Sequence, residues 1–216
     1  MSYNLIGFSG LASAGKDTAA DYLVKKMKNC HKISFANAVK DVASILFSWD
    51  RKLLQGDTPE SRKFRETKDE FWSNCLKKDF TPRLAMQLIG TECFRKPIDA
   101  SFWIYVLQNQ LSKTGLDNHT YILSDVRFPE EVNMIHSLGG RVYRIWRFDP
   151  PVWYKEAALY NQQKIKGSNC IEPSCLKDIH VSERSLAGLN LEDSEIDNRK
   201  TLYEYYETLD EIFKLG

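Results

Sequence analysis

The sequence has no long hydrophobic run and no excess of charge of either sign. None of the apolar stretches in its 216 residues approaches the roughly 20 residues that a membrane-spanning helix needs. The first residues lack the basic segment and apolar core of a secretory signal. Thirty Lys and Arg residues balance 29 Asp and Glu residues, which excludes a global attraction to nucleic acid or to an anionic membrane. We therefore expect a cytoplasmic protein whose partners include neither nucleic acid nor a membrane.

Cysteine is scarce and scattered. The five cysteines form no Cys-x-x-Cys pair, and an odd, dispersed set predicts reduced thiols rather than a disulfide framework. Cys170, Cys175 and His180 could share a metal, but their spacings match no familiar zinc pattern, so ordinary loop residues are the better interpretation. The sequence also lacks internal repeats, low-complexity tracts and linkers. We expect one domain spanning residues 1–216.

The most informative feature is the stretch Gly10–Thr18, which reads Gly-Leu-Ala-Ser-Ala-Gly-Lys-Asp-Thr and follows an apolar run over 5–9. A loop without large side chains can wrap its N–H groups around phosphate oxygens, and the next helix directs its positive dipole end at the anion. A chance turn before a helix is the alternative, but the strand before it and the amphipathic run 18–27 after it favour a phosphate loop. The sequence predicts that a nucleotide polyphosphate contacts Ala12, Ser13, Ala14, Gly15, Lys16, Asp17 and Thr18.

Two acidic residues are candidate metal ligands. Asp17 stands where phosphate loops usually have a Ser or Thr that ligates magnesium, and a carboxylate can hold the metal directly or through water. Asp125 ends an apolar strand, where a second acidic residue of phosphate-loop enzymes helps to position Mg²⁺. The alternative for Asp125 is a turn or helix-start residue. We predict Asp17 and Asp125 as the magnesium ligands.

Hydrophobic periodicity predicts alternating strands and helices. Strands are predicted over 5–9, 31–35, 121–125, 141–146 and within 190–197, and helices over 16–28, 36–49, 68–77, 82–94, 101–111, 129–138 and 200–215, with a loop over 50–67 and a turn over 115–118. This alternation predicts a parallel sheet that is covered on both faces and binds ligands at the carboxyl ends of its strands. Periodicity fades over 148–185, where only 152–163 could form a helix, and this segment is a candidate lid.

Arginines favour a phosphate group as the acceptor of a phosphoryl transfer. A phosphate monoester is largely dianionic and needs cations, for which guanidinium groups are well suited, rather than a carboxylate base. Eight arginines lie on segments that flank or could close over the phosphate loop: Arg62, Arg65, Arg83, Arg95, Arg127, Arg144, Arg147 and Arg184. Some must simply be solvated surface residues.

Arg127 is the strongest of these candidates, because it follows Asp125 by two residues and can stabilise charge on the moving phosphoryl group. We predict Lys16, Arg127 and Asp125 as the catalytic residues. For a base pocket, Gln87 is a candidate hydrogen-bonding residue. Trp103 is either a pocket wall or a core residue.

In this order, the motifs resemble the deoxynucleoside monophosphate kinases of bacteriophages and large DNA viruses. The blocks that carry the resemblance are Gly10–Thr18, Arg62–Trp72, Pro82–Thr91 with Trp103, and Ser124–Glu131 with the following Gly139-Gly140 and Arg147. His180–Glu183 is also similar to a family signature, although its residues alone reveal no role.

The resemblance implies a phosphate-loop, three-layer α/β/α sandwich with a parallel sheet of about five strands. A helical acceptor-binding region would span about 36–113 and a lid about 148–185. The implied reaction transfers the γ-phosphoryl group of ATP, with Mg²⁺, to a deoxynucleoside monophosphate. The sequence does not decide whether the protein forms a homodimer.

The resemblance also implies a set of acceptor-site residues. These are Lys40, Arg65, Arg83, Gly90, Thr91, Trp103, Arg127 and Glu131, beside the base-pocket candidate Gln87. Some family members carry a lysine inside the phosphate loop, whereas residues 11–14 of this chain carry no charge. The preference for the base of the acceptor could therefore differ. Alternative functions are a dephospho-coenzyme A kinase, a phosphomevalonate kinase, or a nucleotide-regulated switch protein.

Overall fold

The chain folds into two compact units, which we describe separately. The computed structural model describes residues 4–114, 119–190 and 192–215, so the predicted turn over 115–118 lies outside the described residues. The first unit comprises Met1–Ile33 with Leu116–Gly216, and the second comprises Ser34–Gly115. The second unit spans almost the same residues as the predicted helical region 36–113.

A parallel sheet forms the first unit. Its strands are β1 (Asn4–Ser9), β2 (Cys30–Ile33), β3 (Thr120–Leu123), β4 (Arg141–Trp146) and β5 (Ser194–Asp197). They lie in the order β2-β3-β1-β4-β5, and every neighbouring pair is parallel. The predicted sheet of about five parallel strands is confirmed. Because β1 lies at the centre, the loop that follows it emerges between β3 and β4.

Helices of the first unit cover both faces of this sheet. In chain order the helices of the protein are α1 (Lys16–Lys26), α2 (Ala36–Phe47), α3 (Pro59–Glu66), α4 (Glu70–Leu76), α5 (Pro82–Gln87), α6 (Phe102–Thr114), α7 (Pro129–Ser137), α8 (Val152–Ile165), α9 (Val181–Arg184) and α10 (Leu202–Phe213), of which α2 to α6 belong to the second unit. Successive side chains of a strand point to opposite faces. Phe8 packs with Leu23 of α1 and Leu209 of α10, whereas a Cβ at Gly7 would lie 2.8 Å from Ile135 of α7. The three-layer α/β/α arrangement follows from this alternation.

The prediction of a loop over 50–67 is wrong in its second half, where α3 lies. The Ser61 N–H donates to the Thr58 hydroxyl at 3.1 Å, and the Thr58 N–H donates to the Ser61 hydroxyl at 3.0 Å. This reciprocal pair caps the helix, and Pro59 suits its first turn. The same Thr-Pro signal introduces α5, where the Thr81 side chain caps the helix and Pro82 begins it.

The predicted helix over 82–94 changes its form half-way. After α5 the backbone continues as a π-helical stretch, Leu88–Cys93, which contains Gly90. The indole N–H of Trp103 on α6 donates to the Gly90 carbonyl oxygen at 2.8 Å. Single-turn π segments occur frequently at functional sites.

The segment 148–185 contains more regular structure than its sequence predicts. It holds α8, a 3-10 turn at Ser174–Leu176 and α9. The side-chain amide of Asn161 on α8 donates to the carbonyl oxygens of Arg184, Ser185 and Ala187 at 2.8, 3.3 and 3.0 Å. Over the part of the chain that the structure describes, no helix is both long and apolar enough to cross a bilayer.

Thiol reactivity tests the packing of the first unit. Cys30 is buried, whereas Cys75, Cys93 and Cys175 are exposed, and burial raises the pKa of the Cys30 thiol to about 11. Since the thiolate is the reactive form, iodoacetamide should label the exposed thiols in the native protein and Cys30 only after unfolding. Peptide mass mapping would measure this, and rapid labelling of Cys30 in the native protein would contradict the packing.

Candidate nucleotide-binding site

The loop between β1 and α1 adopts a backbone that its glycines make possible. Gly10 and Gly15 have φ angles of +138° and +101°, which strongly favour glycine. A Cβ at Gly10 would lie 2.5 Å from the carbonyl oxygen of Ile145, and one at Gly15 would lie 2.3 Å from Nδ2 of Asn198. Both positions therefore require glycine, because of their close neighbours as well as their backbone conformation.

Lys16 begins α1 and folds back across this loop. Its ammonium donates to the carbonyl oxygens of Gly10 and Leu11, both at 2.8 Å. Burial and the nearby Arg127 guanidinium lower the pKa of Lys16 to about 8, against the opposing effects of Glu183, Asp17 and Asp125. A phosphate anion would relieve this crowding of positive charge.

Residues far along the chain hold the loop from behind. The Asn198 amide donates to the Ala14 carbonyl oxygen at 2.8 Å, and the Tyr205 hydroxyl donates to the Gly15 carbonyl oxygen at 3.2 Å. Sequence reasoning missed both residues. No local pattern identifies them, because their role depends on contacts across more than 180 positions.

The two predicted metal ligands lie at the same edge of the sheet. The Asp17 Oδ1 atom accepts hydrogen bonds from the Ser124 hydroxyl at 2.7 Å and from the Lys32 ammonium at 2.8 Å. Burial raises the pKa of Asp17, but the hydrogen bond and charge of Lys32, with the bond from Ser124, outweigh it and lower the pKa overall. Asp125 follows Ser124 directly, and both carboxylates act on Lys16.

These carboxylates fit a metal that a nucleotide brings with it. Among the described residues, no group of three or more His, Cys, Asp or Glu side chains is arranged to hold a metal ion. Mg²⁺ usually takes one or two carboxylates together with substrate phosphates and waters. The pair Asp17 and Asp125 suits that mode, and the metal itself stays a prediction.

Arg127 lies beside the phosphate loop, as its sequence position predicts. Its Nη1 atom donates to Glu183 Oε1 at 2.5 Å and to the Ser182 hydroxyl at 3.5 Å. Burial opposes the charge of the guanidinium, but the Glu183 carboxylate outweighs it and raises the pKa of Arg127. An open pocket is lined by residues that include Gly10, Leu11 and Arg127. Lys16 and Arg127 thus lie close enough for their charges to act on each other.

Glu131 has a clear structural role. Its side chain is buried, and its Oε2 atom accepts from the backbone N–H groups of Arg127 and Phe128 at 2.7 and 3.1 Å. This bond pattern caps the start of α7. Glu131 therefore fixes the backbone of Arg127, and its predicted contact with an acceptor stays a prediction.

In the second unit, three cations converge on Gln55. The Lys40 ammonium donates to Gln55 Oε1 at 2.7 Å, and Arg51 Nη1 donates to the same oxygen at 3.0 Å. Arg65 Nη1 donates to the Gln55 backbone oxygen at 3.3 Å. Lys40 and Arg65 were predicted site residues, whereas Arg51 was missed because it lies in an irregular segment. Positive charge concentrated in this way suits a phosphate.

The other predicted acceptor residues lie elsewhere in the second unit. Arg83 pairs with Glu66 of α3. Thr91 and Trp103 are buried, and Trp103 packs in the hydrophobic cluster of this unit, which supports a core role for its ring. Gln87 at the end of α5 is partly exposed, and its contact with a base stays a prediction.

Several of the remaining arginines have structural partners. Arg95 donates to the Ala100 carbonyl oxygen at 3.0 Å. Arg144 is buried against Glu192, with Nη2 and Oε1 2.5 Å apart, and Arg184 pairs with Glu172. For these three residues the structure supports a structural interpretation.

Comparisons with known proteins agree with the resemblance seen in the sequence. A family model described as deoxynucleotide monophosphate kinase matches residues 52–152. A protein of Acanthamoeba polyphaga mimivirus, provisionally named deoxynucleotide monophosphate kinase, is 27% identical over 217 residues, which are 94% of this chain and 92% of the viral protein. The deoxynucleoside-5'-monophosphate kinase of Escherichia phage T5 is 22% identical over 179 residues, covering 61% of this chain and 71% of the phage protein. The predicted resemblance is confirmed.

Among solved structures, a dephospho-CoA kinase from Campylobacter jejuni aligns over 98% of this chain and 96% of its own, with 11% identity and a TM-score of 0.49. A shikimate kinase from Bacteroides thetaiotaomicron aligns with a TM-score of 0.39 and 10% identity over 98% of this chain and 97% of its own. With such scores, the fold assignment rests on the strand order and the phosphate loop themselves.

Substituting Gly15 tests the geometry of the loop. Gly15→Ala places a Cβ 2.3 Å from Asn198 Nδ2 on a backbone with φ of +101°, and we expect a loss of roughly 1–3 kcal/mol of stability together with weaker ATP binding. Gly167→Ala is the matched control, because its φ is +72° but nothing lies within 4 Å of the new Cβ. Thermal unfolding and binding of a fluorescent ATP analogue measure both effects. Equal losses in the two variants would contradict a steric requirement at Gly15.

Substituting Lys16 tests the anion site. Lys16→Ala removes a full positive charge from the site that we expect to hold the phosphates. We expect turnover to fall about a hundredfold or more while the circular dichroism spectrum is retained. Lys25→Ala on the exposed side of α1 is the control and should keep normal turnover. Normal turnover in purified, folded Lys16→Ala protein would rule out this assignment.

Proposed function

We propose that this chain, a phosphate-loop kinase similar to viral and phage deoxynucleoside monophosphate kinases, transfers the γ-phosphoryl group of ATP to a deoxynucleoside 5′-monophosphate. The observation that carries the proposal is the family match over residues 52–152. It falls on Gln55, Arg65 and Arg127 rather than on the phosphate loop, a motif that nucleotide-binding proteins of many functions share.

The cations of the second unit support a phosphate as acceptor. A phosphate monoester has its second pKa near 6 and is largely dianionic at neutral pH, so it is a nucleophile that needs no protein base. Gln55 presents neutral oxygens to Lys40, Arg51 and Arg65. A dianion would add a Coulomb attraction that a neutral oxygen lacks. The acceptor phosphate therefore binds at this group of cations.

The first unit binds the donor. The loop amides and Lys16 receive the phosphates of ATP, and Arg127 contacts the group in transfer, where its fixed charge stabilises the developing negative charge. Asp17 and Asp125 would hold Mg²⁺, which when bound neutralises part of the phosphate charge. The segment 148–185 excludes water when the acceptor is present, which limits hydrolysis of ATP.

A coupled assay of ADP release tests the proposal. The purified protein is given Mg-ATP alone, then with each of dAMP, dCMP, dGMP and dTMP, and then with the matching ribonucleotides. We expect at least one deoxynucleotide to stimulate ADP release strongly and to appear as its diphosphate by chromatography. Slow hydrolysis of ATP that no acceptor changes would instead indicate a nucleotide-regulated switch protein.

Arg65 gives a sharper test of the acceptor site. Because a hydrogen bond to a charged group contributes about 1.5–3 kcal/mol, we expect Arg65→Ala to raise KM for the deoxynucleotide about tenfold or more and to leave KM for ATP unchanged. Lys63→Ala, an exposed position of the same helix, is the control and should change neither constant. An Arg65→Ala enzyme with normal KM for the deoxynucleotide would place the acceptor phosphate elsewhere.

A further inference from the structure

We propose that the segment His180–Glu183 positions Arg127 for phosphoryl transfer, with the Glu183 carboxylate orienting the guanidinium and Ser182 supporting it. This inference rests on the proposed function. It gives a role to a stretch that the sequence singles out but does not explain. Glu183 is a positioning residue, because it acts through Arg127.

The contact to Arg127 is direct and one-sided. Glu183 Oε1 and the Ser182 hydroxyl both meet the Nη1 atom of Arg127, at 2.5 and 3.5 Å. A guanidinium carries five N–H donors in a rigid planar fork. Both contacts are made at Nη1, and in the proposed arrangement Nε and Nη2 contact a phosphate oxygen.

His180 holds the supporting hydroxyl in place. Its Nδ1 atom lies 2.9 Å from the Ser182 hydroxyl oxygen and accepts from the Ser182 N–H at 3.3 Å. The imidazole thereby caps the first turn of α9 and limits the rotation of the Ser182 side chain. Three residues of the four-residue stretch thus act on the same guanidinium, directly or through one hydrogen bond.

The position of Glu183 is set independently of Arg127. The Asn161 side-chain amide donates to the carbonyl oxygens of Arg184, Ser185 and Ala187 at the end of α9, and Arg184 Nε donates to the Ile179 carbonyl oxygen at 3.0 Å. The side chain of Glu183 is only 21% exposed. A carboxylate that is largely buried, on a backbone held by its own hydrogen bonds, can orient a flexible arginine. An exposed, mobile carboxylate could not.

The electrostatic situation explains why a carboxylate is needed. Arg127 and Lys16 are close enough for their positive charges to oppose each other, and Glu183 acts on both in the opposite direction. Without that negative charge the long Arg127 side chain would turn away from Lys16 before ATP arrives. Cations that are already in place stabilise a transition state without reorganisation at the moment of reaction.

Steady-state kinetics of five proteins test the inference: the wild type, Glu183→Ala, Glu183→Asp, Arg127→Ala and the double variant Arg127→Ala/Glu183→Ala. We expect Glu183→Ala to lower kcat about tenfold or more while KM for ATP changes less than about threefold, because a transition-state contact is lost. Glu183→Asp should retain part of the activity. In the Arg127→Ala background, removing Glu183 should have little further effect on kcat, since residues that act as a unit are not additive.

A second ion pair on the same short helix supplies the control. Glu172 pairs with Arg184, so Glu172→Ala loosens the segment while the Glu183–Arg127 ion pair stays in place, and it should keep kcat near the wild-type value. Thermal unfolding of each variant separates loss of fold from loss of positioning. If Glu183→Ala does not fold, Glu183→Asp still tests the position of the carboxylate, because it keeps the negative charge.

Three results would overturn the inference while leaving the proposed function intact. These are an equal loss of kcat in Glu172→Ala, an equal effect of removing Glu183 with and without Arg127, and a rise in kcat in Glu183→Ala, which would mean that Glu183 holds Arg127 away from the phosphates. A wild-type protein without deoxynucleotide-dependent ADP release would overturn the proposed function, and this inference with it.

Discussion

Two positive charges, those of Lys16 and Arg127, are held close together beside a partly buried loop at the carboxyl end of a parallel sheet. Burial and mutual repulsion both oppose this arrangement, and the pKa of Lys16 falls to about 8 as a result. The surrounding structure offsets the cost with the loop carbonyl oxygens and with the carboxylates of Glu183, Asp17 and Asp125. Such a site suits a polyanion, because added negative charge would reduce the repulsion between Lys16 and Arg127.

The fold supplies each part of this balance from a different element. The central strand β1 delivers the loop, β3 delivers Ser124 and Asp125, and the short helix α9 delivers Glu183. Asn198 and Tyr205 hold the loop from behind. A parallel sheet makes such convergence possible, because all of its strands end at the same edge.

The second unit repeats the same principle with different residues. Lys40, Arg51 and Arg65 converge on Gln55, whose oxygens are neutral. In the proposed reaction two phosphates must be bound against their mutual repulsion, and a separate group of cations for each phosphate would meet that requirement. Arg95, Arg144 and Arg184 serve the packing instead, so the number of arginines alone would overstate the size of the site.

The sequence by itself determined the phosphate loop, the alternation of strands and helices, and the similarity to deoxynucleoside monophosphate kinases. These features are local, since glycine spacing and hydrophobic periodicity are set within a few residues. The helix α3 was equally local in its Thr58-Pro59 signal and was overlooked because the surrounding composition is polar. Only the tertiary structure decided that Glu131 caps α7, that Glu183 meets Arg127 from 56 positions away and that Asn198 reaches Ala14 from 184 positions away. Such roles depend on which strands lie side by side, and no spacing along the chain records that.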